Sequence, residues 1–161
     1  HGIQQWLGVY FSQRFKLTQW VISMLITLTS LSGVFGEVLG GYGADKIGRL
    51  NCANAGIILM LVSVFLLSFK MPLIILGSIM AIWGLGWTFN HAAISTLLTD
   101  LPKEFIHEVA SLNSSVRFIS GGVGAVLGGV LLERGFNLWL VVFGICFFSL
   151  WISYRGLKTL R

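Results

Sequence analysis

Five stretches of this chain, 17–41, 52–69, 72–98, 109–132 and 138–154, are each an almost unbroken apolar run near the length a helix needs to cross a bilayer. That length is about 20 residues. Backbone N–H and C=O groups find no partner in hydrocarbon, so such runs fold as helices or as closed barrels. A barrel is disfavoured here, because the runs lack alternation of polar and apolar residues and far exceed barrel-strand length. The expected fold is all-α, a polytopic transmembrane helix bundle. Composition agrees: 55% of the 161 residues are hydrophobic and 11% are charged, against about 25% charged in soluble domains. Mean hydropathy is +0.85. The opening stretch, 2–12, is apolar but short, and the first residue is His1. It reads as the end of a span whose beginning is missing, so the chain is expected to be a fragment.

The net charge of +5 is explained by bases flanking spans, not by a nucleic-acid partner. No basic stripe suited to phosphates is present. One set of span ends carries Lys46, Arg49, Lys103, Arg155, Lys158 and Arg161; the opposite set carries Arg14, Lys16, Lys70 and Arg134. The excess places the turn near Asp45, the loop near Pro102 and the C-terminus in the cytoplasm. Cys52 and Cys146 have neither metal-ligand spacing nor the look of a disulfide framework, and no metal or cofactor is expected.

The most polar run between two spans is Gly41-Tyr42-Gly43-Ala44-Asp45-Lys46-Ile47-Gly48-Arg49. Asp45 at a helix end can accept from unpaired backbone N–H groups or pair with Arg49. Gly48 permits a sharp turn and Gly41 permits close approach of another helix. Residues Gly41, Asp45, Lys46, Gly48 and Arg49 resemble the cytoplasmic signature loop of the major facilitator superfamily, with Leu50 where a second terminal base usually stands. Three features resemble the C-terminal half of that family. Met80 occupies a place where the N-terminal half usually has arginine. The run from Ser120 to Gly129 is similar to a glycine-rich antiporter motif, with Ala125 in place of proline and Ser120 in place of the first glycine. The chain also stops soon after its last span. The loop Leu101-Pro102-Lys103-Glu104, with Ser111 to Ser115 after it, looks like a segment of drug-efflux-type members, although Ile106-His107 replace arginine-glycine. The resemblance implies residues 1–161 run from the tail of helix seven through helix twelve, with an N-terminal half missing.

Ionisable residues inside spans are functional candidates by default. These are Glu37, His91 and Arg117, all expected toward the cytoplasmic side. Glu37 and Arg117 are expected to pair, with Asn113 or His91 nearby, unless Arg117 instead snorkels to the headgroups. Trp83, Trp87 and Asn90 fall near one helical face; they either line a solute cavity or pack helices. Ser120, Gly124 and Gly128 recur every four residues, as in close helix contacts. The second and fifth runs, being uncharged, are expected to face lipid.

Catalytic readings lack residues. Gly41 to Asp45 is one residue too long for the Gly-x-Gly-Asp of intramembrane aspartyl proteases, and Thr96 stands where an acyltransferase would place aspartate after His91. What the resemblance implies is a secondary active transporter of a small organic solute or drug, working by alternating access and driven by protons, as an efflux antiporter in a bacterial-type inner membrane. Its expected partners are the bilayer, the missing half, the solute and protons. A non-catalytic scaffold or truncated subunit remains the alternative, with a membrane-embedded enzyme behind it.

Overall fold

The computed structural model describes residues 2–100, 102–134 and 138–159. Of the residues cited above, His1, Leu101 and Arg161 lie outside this set, as does the side chain of Lys158. Six helices follow one another: α1 (Gly2–Phe15), α2 (Gln19–Ile47), α3 (Arg49–Leu67), α4 (Leu73–Leu98), α5 (Lys103–Glu133) and α6 (Leu138–Thr159). No strand occurs among the described residues. Helices α2, α3 and α4 are each long and apolar enough to cross a membrane.

The helix ends follow from local chemistry. Pro72 and Pro102 precede α4 and α5, where a residue without an N–H does no harm. Pro102 holds φ −53°, ψ 137°, and its carbonyl accepts from the Phe105 N–H at 2.9 Å. Lys103 and Glu104, expected in a loop, instead form the first turn of α5, where the Glu104 carboxylate complements the positive end of the helix dipole.

The chain forms two compact units. The first comprises His1–Met24 and Leu98–Leu138, the second Leu25–Leu97 and Trp139–Arg161. In the first, α1 packs on α5. Leu7 and Phe11 are fully buried and Tyr10 nearly so. The Trp6 indole lies against Gly128 and Gly129 of α5 and donates from Nε1 to the Ala125 carbonyl at 2.9 Å. Ser120 is exposed and bonds back to the Arg117 carbonyl of its own helix.

In the second unit α4 touches both α2 and α3. A Cβ on Gly36 of α2 would meet the Thr88 hydroxyl and lie 2.6 Å from the Leu85 carbonyl. One on Gly84 of α4 would collide with the Thr29 carbonyl. The Thr88 hydroxyl completes the contact by donating across to Gly33 at 2.6 Å. On the other side, Gly56 of α3 faces the Asn90 backbone and the Gly86 carbonyl, each 2.7 Å from where its Cβ would stand. Small residues at these positions let backbones approach, which is how helices associate in lipid without a hydrophobic drive. The expectation that the second run faces lipid thus holds for one side only: Ile58, Val62 and Phe65 are exposed, whereas Cys52, Ala53, Gly56, Ser63, Val64 and Leu67 are buried.

Gly41, expected to admit a neighbouring helix, does not: a Cβ there would meet nothing within 4 Å. Its neighbours Gly40 and Gly43 face Phe89 instead. Gly36→Val should lower stability by about 1–3 kcal/mol through overpacking, measured as a reduced thermal midpoint of the protein in detergent. Gly41→Ala should cost nothing by the same measurement.

Candidate functional site

The polar run 41–49 is helical through Ile47. Residues 41–47 were expected to form a turn. They continue α2 because Ala44 buries its methyl with Cys52, Ala53 and Ala93, an apolar contact that a frayed end would forfeit. Lys46 stands in the last turn, where a cation suits the helix dipole, and its Nζ lies 5.7 Å from the Tyr42 ring centroid. The break is confined to Gly48, at φ 88°, ψ 141°, a conformation that residues with a Cβ rarely adopt.

Arg49 opens α3 directly afterwards. Its guanidinium donates to the Thr96 carbonyl at 2.5 Å. Thr96 lies in the last turn of α4, whose carbonyls have no partner within the helix. The base next to the break therefore caps α4. Asp45 is exposed, and among the described residues its carboxylate has no hydrogen bond or ion pair. Neither an N-terminal capping role nor a pair with Arg49 describes it.

Buried contacts seal the same end of the bundle. The Cys52 thiol donates to the Gly40 carbonyl at 3.3 Å, and the Asn90 amide donates to the Ala53 carbonyl at 2.8 Å. Asn90 spends its amide in tying α4 to α3. Trp83 is 3% exposed and its ring tilts against Trp87, with centroids 6.4 Å apart. Trp83 and Asn90 are thus packing groups in this unit, and Trp87 is half-exposed.

The two ionisable residues of this unit's helix faces meet. His91 Nδ1 and Glu37 Oε1 are 3.4 Å apart. Gly33, Gly36 and Gly40 explain how. They flank Glu37 on the face of α2 against which α4 packs, and Gly84, Thr88 and His91 form one stripe of α4. Close backbones let a short carboxylate reach an imidazole on the neighbouring helix. His91 is one-third exposed and Glu37 more than half, so the pair lies at the edge of the helix contact. Nδ1–H donates when that nitrogen carries the hydrogen, and protonation of the ring makes the contact an ion pair. Within this unit the partner of Glu37 is His91, one of the two residues expected near it. Arg117 lies half-exposed on α5, in the other unit. Gly124 is half-buried on the same helix.

The sequence profile of the Major Facilitator Superfamily matches residues 1–125. The chain belongs to that family. Comparison with curated proteins and with solved structures gave no match. As a major facilitator chain it is an integral membrane protein of the transporter kind, and its all-helical architecture is consistent with a partial major facilitator bundle. Among the described residues no group of three or more His, Cys, Asp or Glu is placed to hold a metal.

The two halves of the polar run separate by experiment. Gly48→Ala forces a side chain into a glycine conformation and should cost about 1–3 kcal/mol. Asp45→Asn, at an exposed position, should change stability by less than about 0.5 kcal/mol. Thermal unfolding of the two variants in detergent checks both.

Proposed function

We propose that this chain is the C-terminal half of a secondary transporter that exports a small organic solute in exchange for protons. Two six-helix halves rock about a midplane site in such a machine. The observation that carries the reading is the Glu37–His91 contact between two membrane-crossing helices. A carboxylate within a span is costly unless paired. A neighbouring imidazole offers a partner whose charge changes with one proton. With the proton on, imidazolium and carboxylate attract and draw α2 toward α4 at this point. With it off, the carboxylate faces a neutral ring and the attraction is reduced to a hydrogen bond. A proton bound here is therefore linked to how tightly the two helices hold together, which is what coupling to a gradient requires.

Supporting the C-terminal assignment are Met80 in place of an arginine and the glycine-rich run of α5, in which Gly128 receives Trp6. The signature residues near Gly48 belong to this proposal as a conformational element. Arg49 caps α4 and Gly48 fixes the turn, so a rearrangement of α4 loads the run directly. Half-exposed Trp87 is the aromatic candidate for contact with an amphipathic solute. On the orientation read from the basic residues, the Gly48 turn faces the cytoplasm.

A packing scaffold would use the same glycines, and transport separates the two readings. In vesicles holding the protein that carries this chain, with ethidium as probe, an imposed pH gradient should drive accumulation. Glu37→Gln should reduce gradient-driven accumulation by about tenfold or more while solute exchange without a gradient continues. Undiminished gradient-driven transport in that variant would overturn the assignment of Glu37 as the coupling group. Absence of any ethidium flux in the unaltered protein would count against this probe class and favour the scaffold.

A further inference from the structure

Helix α6 ends in an aromatic and basic surface. It is apolar over Gly144–Ser153, and Arg155 follows directly after that stretch and Tyr154. Ile145, Phe148, Ile152 and Arg155 recur at helical spacing and form one stripe of the helix. All four are exposed, as is Trp151 beside them. The Phe148 and Trp151 rings stack, with centroids 5.8 Å apart and planes 25° from parallel. The Arg155 guanidinium lies over the Trp151 ring, 4.8 Å from its centroid. Two aromatic rings and a guanidinium thus run in order toward the helix end.

The contacts of this end leave its donors unused. Arg49 spends its guanidinium on the Thr96 carbonyl, and Trp6 spends its indole N–H on the Ala125 carbonyl. Among the described residues Arg155 has neither a hydrogen bond nor an ion pair, and the Trp151 indole N–H has no acceptor. No Asp or Glu occurs in α6. The guanidinium and indole N–H groups therefore await an acceptor from outside the chain. Stacking on the indole also restricts the guanidinium, so less freedom is lost when it binds. From Ile145 to Arg155 the helix rises about 15 Å. That is half of a hydrocarbon thickness of about 30 Å. With Ile145 near the midplane, Arg155 reaches the phosphate level, and the stripe spans one leaflet.

We propose that this stripe holds one anionic phospholipid, with its phosphate on Arg155 and an acyl chain along Ile152, Phe148 and Ile145. A guanidinium suits phosphate because two parallel N–H groups match two oxygens. The Trp151 indole supplies a further donor at the same level. A lipid of net negative charge is favoured over a zwitterionic one, whose own cation would meet Arg155 with no carboxylate of α6 to balance it. A second copy docking through the same stripe would bring no carboxylate to Arg155 either. On the orientation proposed above, this end of α6 lies in the cytoplasmic leaflet, the one that carries anionic lipids. The site is separate from the Glu37–His91 contact. Its test reads lipid retention without transport, so either proposal can fail while the other stands.

The protein that carries this chain is equilibrated with phosphatidylglycerol and phosphatidylcholine of the same acyl chains in equal amounts. The lipids it retains are counted by native mass spectrometry. Phosphatidylglycerol should be retained about fivefold over phosphatidylcholine. Arg155→Gln should lower that ratio about fivefold and leave the thermal midpoint in detergent unchanged. Lys103→Gln, which removes an exposed base of α5, should leave the ratio as it was. Trp151→Leu keeps the charge but releases the guanidinium, and should lower the ratio by about half or more. Equal retention of the two lipids by the unaltered protein, a ratio that survives Arg155→Gln, or an equal fall in Lys103→Gln would each overturn the proposal. So would an undiminished ratio in Trp151→Leu, displacement of the lipid by inorganic phosphate, or a lipid-free dimer that Arg155→Gln dissociates.

Discussion

The second unit is organised around the closeness with which α4 approaches α2 and α3. In lipid the side chains of two helices gain nothing by leaving hydrocarbon for each other, so association depends on contacts that only near backbones can make. Gly36, Gly84 and Gly56 leave the space for that approach, and polar groups then act across it. Thr88 reaches Gly33, Asn90 reaches Ala53, and Cys52 reaches Gly40. All three are bonds from a side chain to a neighbouring helix's carbonyl, and each needs the carbonyl to be near. The Glu37–His91 contact joins two side chains instead, and it too needs the helices to be near. Without the glycines beside Glu37, its carboxylate would be held away from α4 by the bulk of its neighbours.

Much of the architecture was legible in the residues. Apolar runs located α2, α3 and α4, because exclusion of water imposes a length and a composition that few other structures share. The helical break was readable at Gly48, where a base follows directly and a β-carbon would be strained. Membership of the major facilitator superfamily was readable from the run around Asp45 and agrees with the profile match. What the linear order concealed was rotational phase. Gly40, Gly41 and Gly43 look interchangeable in a list, yet successive residues on a helix point about 100° apart, and Gly41 faces away from the contacts that its neighbours make. His91 was expected near Glu37, but three ionisable residues at similar depth do not declare which of them share a face. The ends of α2 and α5 ran past the apolar boundaries, into Ile47 and back to Lys103, because caps and a buried Ala44 extend helices that hydropathy alone would stop.

Two side chains for which residue type left solute contact and packing equally open are tied into the helix contact. Asn90 and Trp83 have the chemistry of a solute-facing surface, but burial and a carbonyl partner commit them to holding α4 in place.

The single residue between α2 and α3 has a mechanical consequence. If α2 slid along its axis by one turn, about 5.4 Å, a single connecting residue, which lets the Cα atoms of Ile47 and Arg49 lie at most about 7 Å apart, would leave little slack to absorb the displacement. Helix α3 would be carried along. The two helices therefore make a yoke with its apex at Gly48, and Arg49 hooks that apex to the end of α4. A push along the part of α2 within this unit therefore reaches the last turn of α4 through Arg49 as well as through the glycine contacts at mid-helix.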